Sequence, residues 1–130
     1  MSRLLALAAV AALASGCYEP AYVPAKPTPA AIVRDNAAAE MTRAFAEKPA
    51  LKDNLKTFLD KLGDATTTAE LRAAWAEAYP DHERVLRRAI SKSIHDFYWP
   101  VLPVTDGRVY VEGFRAAAEE LMSAESAEQS

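Results

Sequence analysis

Leu51-Lys52-Asp53-Asn54-Leu55-Lys56-Thr57-Phe58-Leu59-Asp60-Lys61-Leu62-Gly63 is the stretch whose reading decides the fold. Leu51, Leu55, Phe58, Leu59 and Leu62 recur at intervals of four and three, which stacks them on one face of an α-helix. The positions between them are mostly Lys, Asp, Asn and Thr, which suit the solvent side. Pro49 suits the first helical position and Gly63 the residue that ends the helix. A helix with one apolar face must bury it against another element, and the segments on either side carry the same period. Upstream, Thr28-Pro29 reads as an N-cap followed by Pro, opening a helix from Pro29 to Glu47 with Val33, Ala37, Met41, Ala44 and Phe45 on one face. Lys48-Pro49 interrupts it, because the residue before Pro avoids the helical region. Downstream, Thr67 and Glu70 have capping-box spacing. The helix they open turns Leu71, Ala74, Trp75, Ala78 and Tyr79 inward until Pro80. A fourth helix is expected over Asp81–Tyr98, with Val85, Leu86, Ala89, Ile90, Ile94 and Phe97 on its apolar side. A fifth is expected over Glu112–Ser123, burying Phe114, Ala117, Leu121 and Met122. Asp106-Gly107 between apolar residues is a type I′ turn signal, so a short two-stranded hairpin is expected near 101–111. The fold class is all-α: a small antiparallel bundle of four to five helices, since short connections favour antiparallel neighbours.

The remaining segments divide the chain. Arg3 followed by the apolar run Leu4–Leu13 and the small residues Ala14, Ser15 and Gly16 is a secretory signal pattern. The run is about half of the ~20 residues needed to cross a bilayer. Leu13-Ala14-Ser15-Gly16-Cys17 resembles the lipobox of bacterial lipoproteins, with Ala14 where that family usually has Leu. The resemblance covers the first 17 residues and implies three modifications: lipid on the Cys17 thiol, cleavage after Gly16 and acylation of the new amino terminus. Multiple acyl chains make a stable anchor where one holds only marginally. In the enterobacterial sorting scheme an Asp after the cysteine marks inner-membrane retention, so Tyr18 favours the outer membrane. Pro20, Pro24, Pro27 and Pro29 then fix an extended tether. Its twelve residues, Tyr18–Pro29, reach ~37 Å at ~3.1 Å each. The division is a signal peptide over 1–16, lipidated cysteine and proline-rich tether over 17–29, helical domain over 30–123, and a disordered tail over 124–130 that lacks apolar anchors.

Removing residues 1–16 from 130 leaves 114, enough for one small core. The net charge of −3 becomes −4 once Arg3 is gone, which argues against nucleic acid as a partner. Cys17 is the only cysteine, so the domain has no disulfide or thiol nucleophile and its stability must come from packing.

A search for chemistry finds little. His82-Glu83 begins like a zinc-protease helix, but Leu86 stands where the second His is required. His95 is too far along the same helix to share a metal with His82. The glycines form no phosphate cradle, and Ser91 and Ser93 sit in no nucleophile elbow. Paired carboxylates could serve a cell-wall hydrolase, but with 18 acidic residues proximity alone is expected. Two surface features remain. Arg84, Arg87, Arg88 and Lys92, with His95, cluster on the fourth helix away from its apolar stripe, as a face for anionic lipid or lipopolysaccharide. Tyr98-Trp99 stands at the end of that helix, where it either plugs the core or anchors a partner. The reading is therefore a non-enzymatic, lipid-anchored envelope protein. It scaffolds or chaperones an unknown envelope protein, and it implies no metal and no cofactor beyond the lipid on Cys17.

Overall fold

A computed structural model describes residues 27–98 and 106–129. These residues are helical, with no strand among them, and form a small helical bundle. Helix α1, Pro29–Glu47, starts where the sequence places it: the Thr28 hydroxyl accepts from the Ala31 N–H at 3.1 Å, and Pro29 takes the first turn. A 3-10 helix, Pro49–Asn54, leads into α2, Leu55–Leu62. Then come α3, Thr68–Ala78; α4, Glu83–Asp96; and α5, Gly107–Gln129. Helix α1 is central. It packs along α5 on one side and α4 on the other, while α2 packs against α3.

The core gathers around Trp75. Its ring meets Phe58 edge-on at 5.3 Å, Tyr79 at 4.4 Å and Phe114 edge-on at 6.1 Å between centroids, and Phe45 reaches Tyr79 at 6.3 Å. Such geometries add to the area these rings bury. The polar edges of the two largest rings are satisfied: Trp75 Nε1 donates to the His82 carbonyl at 2.8 Å and Tyr79 Oη to the Leu51 carbonyl at 2.9 Å. Asn54 Nδ2 donates to the Ala78 carbonyl at 2.7 Å, which ties the 3-10 helix to the end of α3. The expected helix beginning at Pro49 is thus 3-10 for its first turns, where Leu51 and Asn54 bond across to α3.

The hairpin near 101–111 is a correction. Residues 101–105 lie outside those described, but 107–111 are the first turns of α5. Asp106 acts as a helix cap: its Oδ1 accepts from Arg108 N at 3.0 Å and its carbonyl from Val109 N at 3.1 Å. Gly107 has no positive φ, the feature a type I′ turn requires; among the described residues only Gly63 has one. What Gly107 supplies is room. A Cβ there would stand 2.7 Å from Thr68 N, at the start of α3. Gly113 does the same further along, where a Cβ would collide with the Val33 side chain. The close approach of α5 to α1 and α3 therefore rests on two missing side chains. Val111, Phe114, Ala117 and Ala118 fill the seam.

The α3 start is a complete capping box. Thr67 Oγ1 accepts from Glu70 N at 3.1 Å, and Glu70 Oε1 accepts from the N–H groups of Thr66 and Thr67 at 3.2 Å each. The Thr66 N–H, followed by the Thr67 hydroxyl, holds the Glu70 carboxyl below its ordinary value of 4.5.

Candidate functional site

Helix α4 carries most of the residues that the sequence singles out, and two partners determine how it sits. Leu86, Ala89 and Ser93 are its buried positions. Ser93 is fully buried and is met by Asn36 of α1, itself 7% exposed. Asn36 Nδ2 donates to Ser93 Oγ and to Asp96 Oδ2, both at 3.1 Å, and Ser93 Oγ donates to the Ala89 carbonyl at 2.7 Å. This polar pin sets the rotation of α4 on α1. A Ser in the buried row turns Ile94 outward: Ile94 is 46% exposed, the one large hydrophobic residue so placed among the described residues. The expectation that Ile94 lies in the apolar stripe is therefore corrected, and Val85 and Ile90 are only partly buried.

The basic cluster is divided between two sides of α4. Arg84 and Arg88 line a cleft against α1, about 410 Å³, together with Glu40, Glu47, Asp81 and His82. Arg88 Nε lies 3.7 Å from Glu40 Oε2. Arg87 instead lines a groove of about 250 Å³ on the α3 side, with Arg72, Glu83, Leu86, Ile90 and Ile94. Lys92 is exposed and borders neither. Between Glu83 and Asp96 the exposed positions of α4 carry Arg84, Arg87, Arg88 and Lys92 and no carboxylate. Among the described residues Arg72, Arg84, Arg87 and Lys92 make no ion pair.

Tyr98 is half-buried at the end of α4, and its hydroxyl donates to the Pro27 carbonyl at 3.2 Å. The chain therefore enters α1 beside the point where it leaves α4. Phe97 is buried, with the Tyr110 ring 6.1 Å away. Trp99 and Cys17 lie outside the described residues.

On the flank of α1 away from α4, Phe45, Ala46, Lys52, Leu55 and Leu121 line an apolar groove of about 280 Å³. Every described acidic side chain is exposed except Glu40, the one that faces Arg88. No cluster of three His, Cys, Asp or Glu able to hold a metal ion occurs among the described residues. Burial raises the Tyr79 hydroxyl well above its ordinary pKa, with a smaller push from the Asp53 charge, and raises Tyr110 as well. Both serve the core. No helix of the described residues is long and apolar enough to cross a membrane.

The two residues that the sequence reading missed, Asn36 and Ser93, left a trace in it. Asn36 stands three residues after Val33 and beside Ala37, on the inner side of α1. Ser93 falls four after Ala89 and four before Phe97, in the inner row of α4. The chain matches no known protein family, and comparison with curated proteins and with solved structures finds no match either.

Proposed function

We propose that the chain is a lipid-anchored protein of the bacterial cell envelope, outer membrane favoured, that acts by binding a partner protein rather than by catalysis. The anchor rests on the lipobox-like Leu13–Cys17, and the outer membrane on Tyr18. One observation carries the binding reading. The described acidic groups are spread over solvent-exposed helix faces, and the one shielded carboxylate, Glu40, sits against Arg88. A hydrolase needs two convergent carboxylates with one held protonated; this surface offers grooves instead. Two tests apply. Mass spectrometry of the processed amino terminus is expected to find acylated Cys17; an unmodified cysteine, or a terminus elsewhere, refutes the anchor. Photocrosslinking in intact cells from surface positions on α1 beside the Phe45–Leu121 groove is expected to yield one discrete protein adduct. A ladder of many adducts, or none from any position, refutes the binding role.

A further inference from the structure

We infer that the α3-facing side of α4 docks on an anionic membrane surface, with Ile94 as the inserting side chain and Arg72 and Arg87 as the headgroup contacts. The inference rests on the lipid anchor at Cys17 and adds to it a fixed orientation of the domain.

Three observations converge. First, the one exposed large hydrophobic residue among those described sits beside Arg72 and Arg87 on an acidic chain. Apolar and basic side chains together on one helix side are what an interfacial helix presents to lipid. Second, the cations are available. Arg72 and Arg87 make no ion pair among the described residues. Arg72 from α3 and Arg87 flank Ile90 and Ile94 in one groove. Third, the tether leaves at the right place. The Tyr98–Pro27 hydrogen bond puts the exit of the tether at the C-terminal end of α4, four residues past Ile94. The ten residues that follow Cys17, up to Pro27, would span ~31 Å if extended. Helix α4, with 14 residues, is only ~21 Å long, so an anchored domain has the slack to lay it flat. Of the acids nearby, Glu83 lines the groove at the first turn of α4, and Asp96, engaged by Asn36, stands with Asp35 toward the other end of the helix.

The occupant favoured is the membrane rather than a protein, because the strip of Ile94, Arg72 and Arg87 combines one inserted side chain with two cations and has no deep pocket for a hot-spot residue. Each Lys or Arg near an anionic surface strengthens partitioning by about fivefold, and the attraction falls off within a Debye length. The anchor multiplies this by holding the strip close to the lipid.

The test uses the processed, acylated protein carrying Ile94→Cys, which is then the only free thiol, labelled with an environment-sensitive fluorophore. It is reconstituted into phosphatidylcholine vesicles with or without phosphatidylglycerol, and a second sample carries the label at Lys56→Cys on α2. Expected is a blue shift and quenching by lipid-borne nitroxide at position 94 only. It should appear only with phosphatidylglycerol, be reversed by high salt, and weaken about fivefold in Arg87→Gln. Flotation with no shift at position 94 overturns the docking and leaves the anchor standing. Absence of flotation overturns both. An equal shift in both vesicle types overturns the electrostatic contacts. Protection at position 94 that requires added envelope proteins overturns the membrane as occupant in favour of a protein.

Discussion

The two sides of the bundle are held together by different physics. Around Trp75, helices α1, α2, α3 and α5 meet through rings and small aliphatic side chains, and the polar edges of Trp75 and Tyr79 are bonded to backbone carbonyls. Along α4 the seam with α1 sets Leu86 and Ala89 beside a hydrogen-bonded Asn36–Ser93–Asp96 cluster. The first side buries its rings and leaves one apolar groove, lined by Phe45, Leu55 and Leu121. The second leaves Ile94 in solvent with Arg72 and Arg87 beside it. Apolar packing is non-directional, so it yields stability but tolerates small rotations. A polar pin is directional, so it sets which residues of α4 face out. The contrast separates the part of the molecule that folds it from the part available for contact.

The largest test of that contrast is Trp75→Ala. Removing the fully buried ring should cost ~3–5 kcal/mol, a large share of the ~5–15 kcal/mol typical of a domain, and the denaturant midpoint should fall accordingly. A loss below about 1 kcal/mol would mean that the aromatic side does not dominate. Next comes Asn36→Ala. It strips Ser93 and Asp96 of their shared donor, at ~1–3 kcal/mol. Native-state hydrogen exchange should show the loss mainly in α4 amides; uniform loss across all helices would erase the distinction between the two sides. Thr67→Ala removes the α3 cap and should cost ~1 kcal/mol. Glu70 adds a pH dependence there. Its folded pKa is depressed, so its stabilisation is complete above 4.5 and is lost as pH falls through the lowered folded value. Glu70→Gln, which mimics the protonated carboxyl, should flatten the melting temperature in that acidic window by lowering stability at neutral pH toward its low-pH level. The smallest effect is expected for Ile94→Ser. An exposed position should change stability by less than ~0.5 kcal/mol, and a loss above 1 kcal/mol in thermal unfolding would put Ile94 back in the core.

The helices were legible in the sequence to the extent that their signals were local. Thr28-Pro29, Thr67–Glu70, Pro80 and Gly63 each act within one turn of themselves, and each terminates or opens a helix as read. The 3-10 helix was not legible, because Tyr79 and Ala78, which bond to Leu51 and Asn54, lie more than 20 residues away. Asp106-Gly107 misled for a related reason. Asp-Gly suits a tight turn and equally suits a helix start at a close contact, and only the approach of Thr67–Thr68 to Gly107 decides between them. The basic residues of α4 were legible as a cluster. Their division between the Glu40 cleft and the Arg72 groove was not, since α1 and α3 supply the opposite walls.

Composition, apolar period and capping residues by themselves determined an all-helical chain with a core around Leu55, Phe58, Leu71, Trp75 and Phe114. Those properties follow from 3.6-residue periodicity and from hydrogen bonds closed within a few residues. Tertiary structure alone decided the rotation of α4, the exposure of Ile94, the glycine-mediated approach of α5 and the placement of Pro27 beside Tyr98. Each depends on groups that meet only after the chain has folded: Asn36 with Ser93, Val33 with Gly113, Pro27 with Tyr98. No local pattern encodes a partner 57, 80 or 71 residues away.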